Sequence, residues 1–146
     1  MQCFYLIMFP KGETKLAVDV GCGTGMSTRN LFGQFDSVLG VDLSEAMIEE
    51  ARNCWKDHKN AEFQVAKAEQ IPVENNSAQV VLVGRAIHYF DQKTFFQEVD
   101  RILVGSAWSL SIPAPYRGLG SGAFFTPNRI DKAIMSWFTC DSVRNL

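Results

Sequence analysis

A glycine-rich turn directly after an apolar run constrains the fold of this chain more than any other feature. Residues 16–25 read LAVDVGCGTG, an apolar run with one acid, Asp19, that breaks into three alternating glycines. Leu31 and Phe32 follow at helical spacing, which is typical of a buried parallel strand that turns sharply into a helix. Glycines suit such a turn because they adopt positive φ and let a ligand approach the backbone. We therefore expect a small, nucleotide-like ligand here, with the amide groups freed at the helix start as its donors.

A second apolar run completes a nucleotide-binding pattern. Residues 38–43 read VLGVDL and place Asp42, which lies 17 residues beyond Gly25, at the tip of the run. In doubly wound folds an acid at this position accepts hydrogen bonds from ribose hydroxyls. A nicotinamide dinucleotide normally needs G-x-G-x-x-G, whereas this chain has G-x-G-x-G with Asp19 two residues before the first glycine. That acid would repel a diphosphate and attract a cofactor with an ammonium group, but the dinucleotide fold remains the competing interpretation.

Two motifs resemble those of a known enzyme family. Residues 19–25, DVGCGTG, resemble the first motif of class I S-adenosylmethionine-dependent methyltransferases, and residues 41–47, VDLSEAM, resemble the acidic-loop motif that follows it. The resemblance covers about residues 14–112 and is greatest for the small-molecule branch that contains trans-aconitate-type methyltransferases. It implies S-adenosyl-L-methionine as the cofactor and a small molecule as the acceptor, with a carboxylic acid as one candidate.

The resemblance also implies a set of cofactor-binding residues. Ala68 would present its backbone to the adenine, and Glu69 could meet the exocyclic amine. Met47 would pack on the adenine face, and Gly84 would let a carbonyl reach the methionine ammonium. From the residues alone, Met47 could equally be a core methionine and the segment around Ala68 an exposed polar turn. The predicted cofactor-binding residues are Asp19, Gly21, Cys22, Gly23, Thr24, Gly25, Asp42, Leu43, Met47, Ala68, Glu69 and Gly84.

His88, which follows the fourth predicted strand, is the candidate catalytic residue. An imidazole titrates near neutral pH and could accept a proton beside the reactive methyl group. The alternative is that His88 only shapes the pocket, because methyl transfer is an in-line displacement that positioning can largely carry. Tyr89 and Phe90 are predicted to form a pocket wall, His58 is predicted to be solvated, and no metal site is predicted.

The remaining periodicities predict alternating strands and helices. Further strands are expected at residues 61–66, 79–83 and 108–112, and the first helix at about residues 24–33. Ser44 and Asp91 are predicted to cap the next two helices. The side chains predicted to be buried by those helices are Met47, Ile48, Ala51, Cys54 and Trp55 on one, and Phe95, Phe96, Val99, Ile102 and Leu103 on the other. The pattern predicts a doubly wound, mostly parallel, Rossmann-like α/β sheet, and the resemblance implies the order 3-2-1-4-5.

Composition favours one domain in a reducing, cytoplasmic compartment. The 146 residues carry a net charge of −2 with no concentrated basic face, which argues against a nucleic-acid partner. The four cysteines are scattered, as expected for free thiols, and Cys22 in the glycine turn is interpreted as a packing residue. The apolar first ten residues are too short to span a bilayer, so no membrane partner is expected.

The two ends differ from the family pattern. Residues 1–112 are predicted to form the cofactor-binding domain, with an irregular start at 1–13; residues 113–146 add a loop and an amphipathic helix at 127–138 to the same domain. The sheet is therefore predicted to lack the usual strands 6 and 7, as in a shortened form. This favours a second hypothesis, a non-catalytic methyltransferase-like protein that binds cofactor weakly or acts through a partner.

Overall fold

The computed structural model describes residues 14–84, 86–111 and 123–125. The strands are β1 Leu16–Val20, β2 Ser37–Asp42, β3 Ala61–Val65, β4 Ala78–Val83, β5 Leu103–Ser111 and β6 Ala123–Phe125; the α-helices are α1 Glu45–Cys54 and α2 Gln92–Ile102; two 3₁₀ turns span Thr28–Leu31 and Ile87–Tyr89. Within these residues, no helix has the length and apolar character needed to cross a bilayer.

The strands form one sheet in the order β3-β2-β1-β4-β5-β6. The first five are parallel, which confirms the predicted doubly wound sheet with order 3-2-1-4-5. Val18 in the central strand β1 pairs with Leu39 of β2 on one side and Val81 of β4 on the other. The strand order reverses between β1 and β4, where the connections diverge and leave a crevice at the carboxyl ends of the strands. The glycine turn and the segment after β4 flank this switch point.

The two faces of the sheet are covered by different elements, so the described core has three layers. Because side chains alternate along a strand, Val18 and Asp19 point to opposite faces. Helix α2 covers the face of Val18, while α1 and the first 3₁₀ turn cover the face of Asp19. The side chains that these elements bury are Phe95, Val99 and Ile102 from α2, Ile48 and Ala51 from α1, and Leu31 from the 3₁₀ turn. Burial of one such large side chain contributes roughly 1.5–3 kcal/mol.

The predicted N-caps of both helices are confirmed. Ser44 Oγ accepts a hydrogen bond from the Met47 amide at 3.4 Å, and Asp91 Oδ1 accepts one from the Thr94 amide at 3.1 Å. These oxygens satisfy amide groups that have no partner within the helix.

The buried stripe of α1 is narrower than predicted. Ile48 and Ala51 are fully buried, but Met47 and Cys54 are exposed. The last two lie roughly 100–120° around the helix axis from Ile48, on the flank of the stripe. In α2, Phe96 is half-buried, and Leu103 is buried as the first residue of β5.

The predicted first helix is wrong, since only the 3₁₀ turn Thr28–Leu31 forms there. Gly25 has φ 81°, which interrupts a right-handed helix. The Thr28 hydroxyl donates to the Asp19 carboxylate, a contact with another strand that a local pattern does not reveal. Gly33 does end the segment as predicted, with φ 76°.

The far edge of the sheet also differs from the prediction. Strand β5 begins at Leu103, directly after α2, instead of at Trp108. The predicted end of the sheet at strand five is wrong, because β6 pairs antiparallel with residues 109–111 of β5. A strand of three residues is too short to produce a recognisable periodicity. The predicted irregular start at 1–13 and terminal helix at 127–138 lie outside the described residues.

Candidate cofactor site

The turn after β1 is fixed by backbone contacts with two neighbouring strand ends. The amides of Gly21 and Cys22 both donate to the Val41 carbonyl of β2, at N···O distances of 2.8 and 3.0 Å. Gly21 has φ 72°, and a Cβ there would lie 2.3 Å from the Cβ of Ala86 in the segment after β4. Only glycine fits at this position, both in conformation and in space. The turn is therefore hydrogen-bonded to the end of β2 and packed closely against the segment after β4.

Most amide groups of the turn are already occupied, contrary to the expectation that they are free. Besides the two amides that donate to Val41, the Gly23 amide donates to Asp42 Oδ2 at 2.9 Å and the Gly25 amide donates to the Cys22 carbonyl at 3.0 Å. A diphosphate site requires several free N–H donors that converge on the anion. This turn presents carboxylates instead, which disfavours the dinucleotide interpretation.

Asp42 is held rigidly at the tip of β2. Its Oδ2 accepts from the Gly23 amide and its Oδ1 from the Ser44 amide, each at 2.9 Å. A carboxylate oxygen has two acceptor positions, so each oxygen of Asp42 can accept one further hydrogen bond. An oriented carboxylate with two acceptor positions suits a vicinal diol such as that of a ribose.

Asp19 is the most unusual group of the site. Its side chain is fully buried, and Oδ2 accepts from Ser27 Oγ at 2.8 Å and Thr28 Oγ1 at 2.7 Å. Its other oxygen, Oδ1, has no hydrogen-bond partner among the described residues. Burial raises the pKa of this carboxyl to about 6, although the two hydroxyl groups act in the opposite direction. An unpartnered buried oxygen costs stability, so a ligand that supplies a cation or an N–H group would be favoured there.

Ser27 and Thr28 were not predicted as site residues. The signal that could have indicated them is a pair of adjacent hydroxyl residues shortly after a glycine turn that follows an acid in an apolar strand. Their hydroxyls support the position of the Asp19 carboxylate.

Exposed apolar side chains adjoin the turn. Leu43 after β2 is 68% exposed, Met47 in the first turn of α1 is 45% exposed, and Met26 just past the glycine turn is 57% exposed. A Cβ added at Gly23 would meet no atom within 4 Å, so open space lies over the backbone there. Large exposed apolar side chains beside open space are typical of a ligand-binding surface.

The thiol of Cys22 fits a packing role. It is buried against Gly40, where an added Cβ would lie 3.0 Å from its sulfur. Burial raises the pKa of this thiol far above its usual range, with Asp19 and Asp42 acting in the same direction. The protonated thiol is a poor nucleophile.

The segment after β3 offers a ligand fewer free polar groups than the sequence predicts. Ala68 is buried, and Glu69 Oε1 accepts a hydrogen bond from the Asp91 amide at 2.9 Å, at the start of α2. One oxygen of Glu69 is therefore engaged in joining this segment to α2.

A cleft of about 600 Å³ lies behind the same segment, between it and α2. Arg101 lines this cleft and could suggest an anion site, but all five of its N–H groups are engaged. The acceptors are both carboxylate oxygens of Glu98, the carbonyls of Ile71 and Val73, and the Asn75 side chain. The pair of Arg101 and Glu98 thus fixes the β3–β4 connection to α2 and has no donor left for a ligand.

His88 lies across the switch point from Asp42, in the 3₁₀ turn Ile87–Tyr89. Its ring is exposed and packs against Tyr89 with the ring centroids 4.1 Å apart and the ring planes tilted by 44°, and Tyr89 is itself 81% exposed. Among the described residues, His88 has no hydrogen-bond partner that would orient its ring nitrogens. At Gly84, a Cβ would approach only Ser27 Oγ, at 3.9 Å, so the backbone at the end of β4 is accessible.

Comparisons with known proteins agree with this geometry. A family model described as "Methyltransferase domain" matches residues 18–108. The chain is 34% identical over 102 residues to "Probable S-adenosylmethionine-dependent methyltransferase CRG1" of Saccharomyces cerevisiae, a match that covers 67% of this chain and 35% of that protein. It is 36% identical over 89 residues to malonyl-[acyl-carrier protein] O-methyltransferase of Hahella chejuensis, covering 59% and 32% of the two proteins.

A solved structure shows the same fold. The YcgJ protein of Bacillus subtilis superposes with a TM-score of 0.67 at 25% identity, over 70% of this chain and 46% of that one. The chain spans about a third of the length of the curated relatives that it matches. The matched residues 18–108 run from β1 into β5 and include both site carboxylates. The chain therefore belongs to the methyltransferase domain family, with the fold of class I S-adenosylmethionine-dependent methyltransferases.

Proposed function

We propose that this chain binds S-adenosyl-L-methionine at the carboxyl ends of β1 and β2 and transfers its methyl group to a small-molecule acceptor. The observation that carries the proposal is the pair of carboxylates, Asp19 and Asp42, around a glycine turn whose amides are mostly occupied. This arrangement repels anions and suits a ligand that brings an ammonium group and ribose hydroxyls.

The described contacts support roles for several of the predicted residues. Asp42 accepts hydrogen bonds from the ribose hydroxyls, and Asp19 attracts the ammonium group through its unpartnered oxygen. Leu43 and Met47 cover the adenine faces, which gives their exposed side chains a partner. Glu69 offers the adenine only the oxygen that Asp91 does not use.

S-Adenosylmethionine supplies a methyl group bonded to a positively charged sulfur. The leaving group in the transfer is the neutral thioether S-adenosylhomocysteine. The chain's own task is to hold the acceptor in line with that methyl group and to exclude water. His88 and Tyr89 lie at the acceptor side of the crevice, and their packed rings form its wall. His88 has no described partner that would fix its tautomer, which favours a shaping role over proton transfer.

Replacement of His88 distinguishes these two roles. We expect His88→Ala to lower turnover about tenfold through loss of the ring that packs against Tyr89, a contact worth roughly 0.5–1.5 kcal/mol. His88→Phe should restore most of the turnover, with cofactor affinity unchanged in both variants. A loss of about a hundredfold in His88→Phe would instead identify a general base. Initial rates of methyl transfer and calorimetric affinities for S-adenosylhomocysteine provide the measurements.

For the acceptor we propose a carboxylic acid as the first class to assay, in a cytoplasmic setting. The resemblance to trans-aconitate-type enzymes and the similarity to a relative named for O-methylation of a malonyl group support this choice. The test of the function has two parts. Calorimetric titration should show binding of S-adenosylhomocysteine and none of NAD, and labelled methyl groups should then be followed into a panel of small acids. Binding of NAD alone would overturn the proposal, and cofactor binding without any transfer would support the non-catalytic alternative.

The buried carboxyl of Asp19 predicts a pH-dependent affinity. With a pKa of about 6, about a tenth of this group is charged at pH 5 and about nine-tenths at pH 7. Since the ammonium group favours the charged form, affinity for S-adenosylhomocysteine should rise about tenfold between these pH values. Asp19→Asn should bind weakly and show a flat profile. An unchanged dissociation constant of the parent at pH 5 and pH 7 would exclude Asp19 from the site.

The same group has the opposite effect on the ligand-free fold. Its folded-state pKa lies above the usual 3.8, so its contribution to stability is fully present below about pH 4 and is lost as the pH rises through 6. The loss amounts to about 3 kcal/mol. Ligand-free protein should therefore gain stability on acidification from pH 7 to pH 5, while its affinity for the cofactor falls.

A further inference from the structure

The glycine turn is not followed by a long helix that would fix its carboxyl-terminal end. Only the 3₁₀ turn Thr28–Leu31 follows, and among the described backbone hydrogen bonds the Gly25 carbonyl receives one from Arg29 at 3.2 Å. A turn without a full helical ladder behind it must be held by side chains from other elements. Asp42 does this on one side, through the Gly23 amide.

Trp55, at the carboxyl end of α1, holds the other side. Its indole Nε1 donates to the Thr24 carbonyl at 2.8 Å. A Cβ added at Gly25 would lie 2.6 Å from the same Nε1 atom, so the indole ring lies directly on the Gly25 backbone. The indole therefore both bonds to the turn and fills the space behind it.

The indole ring is itself fixed in place. It makes an edge contact with Phe32 at a centroid distance of 5.6 Å, and His58 lies 5.8 Å away. It also packs on the buried cluster that includes Ile48 and Phe63. A side chain locked by its neighbours can orient its partner with little entropic cost.

We propose that Trp55 is a positioning residue for the cofactor-binding turn, acting through the Thr24 carbonyl. Asp42 precedes α1 and Trp55 follows it, so this one strand–helix unit holds Gly23 by its amide and Thr24 by its carbonyl. Gly23, which adjoins the open space, and the following residue Thr24 are thus each held by one hydrogen bond from this unit. This inference rests on the proposed function, because the benefit of a fixed turn is cofactor affinity.

The test is Trp55→Phe, which retains an aromatic ring and removes the N–H donor. We expect affinity for S-adenosylhomocysteine to fall about tenfold, as for loss of one well-placed contact. Arg52→Met is the matched control, since it removes one hydrogen bond from a side chain near the end of α1 to a backbone carbonyl, that of Phe63 at 2.9 Å. The control should lower the melting temperature by a similar amount and leave affinity unchanged.

A readout without ligand accompanies the titration. In ligand-free protein, NMR should show a slowly exchanging Trp55 indole proton, and Trp55→Phe should shift the Gly23 and Gly25 amide resonances whereas Arg52→Met should not. Parent-like affinity and unshifted glycine resonances in Trp55→Phe would overturn the inference and leave the proposed function standing. An equal affinity loss in both variants would also overturn it, since stability alone would then explain the effect. A parent that does not bind S-adenosylhomocysteine removes both proposals.

Discussion

Gly23→Ala should weaken S-adenosylhomocysteine binding at least a hundredfold while the protein still folds. Gly23 has φ 54°, and a Cβ there meets no protein atom within 4 Å. The methyl group therefore adds only the cost of a positive φ, roughly 1–2 kcal/mol, to the ligand-free protein. In the proposed complex the same methyl group occupies space that the cofactor needs, and a hundredfold loss corresponds to about 2.7 kcal/mol.

The chain contains a matched control for this variant. Gly33 has φ 76°, and a Cβ there also meets nothing within 4 Å, but Gly33 lies at the end of the 3₁₀ segment, away from Asp42. Gly33→Ala should reduce the melting temperature about as much as Gly23→Ala and leave affinity unchanged. Calorimetric affinities for S-adenosylhomocysteine and melting temperatures of both variants provide the comparison. If Gly23→Ala bound as tightly as the parent, the cofactor would not approach this turn.

Asp42→Ala should also lower affinity by at least a hundredfold. In the proposed complex the variant loses the acceptors for two ribose hydroxyls, and a hydrogen bond to a charged group contributes roughly 1.5–3 kcal/mol. It also frees the Gly23 amide, so the turn keeps its two hydrogen bonds to the Val41 carbonyl but loses the one to Asp42. Asp42→Asn retains one acceptor oxygen and should fall between the parent and Asp42→Ala.

Asp91→Ala separates this effect from a general loss of stability. Asp91 likewise accepts a backbone amide near a helix start, that of Thr94. Its removal should cost about 1 kcal/mol of stability and leave cofactor affinity intact. The dissociation constants of the two alanine variants, measured by calorimetry at pH 7, give the comparison. Equal affinities for both would show that Asp42 acts only as a local structural group.

The parts of the fold that were predictable from the sequence depend on local patterns. The apolar runs of β1 and β2 and the capping residues Ser44 and Asp91 each express their structure within a few neighbouring residues. The strand order, by contrast, came from the resemblance to a family, because no local pattern specifies which strands are neighbours.

The features that escaped prediction all depend on contacts between distant segments. Thr28 lies within the predicted first helix, but its hydroxyl donates a hydrogen bond to Asp19, nine residues earlier. The sequence predicts that Glu69 is free to contact a ligand, but its carboxylate accepts a hydrogen bond from the amide of Asp91, 22 residues later. The periodicity predicts Trp55 as one member of a buried stripe, but its indole also donates a hydrogen bond to the Thr24 carbonyl, 31 residues earlier. Periodicity describes which side chains face inward, not which partner they meet there.

The position of β1 between β2 and β4 has a consequence for how the chain acquires its fold during synthesis. Val18 pairs with Leu39, which emerges from the ribosome soon after it, but also with Val81, 63 residues later. Translation proceeds at about 5–20 residues per second, so for several seconds the nascent chain has a central strand with one open edge. Pairings between such distant segments slow folding, because a long loop must close before the contact forms. The glycine turn, in which Gly21 lies directly against Ala86, can therefore reach its final arrangement only after the β4 segment has been synthesised.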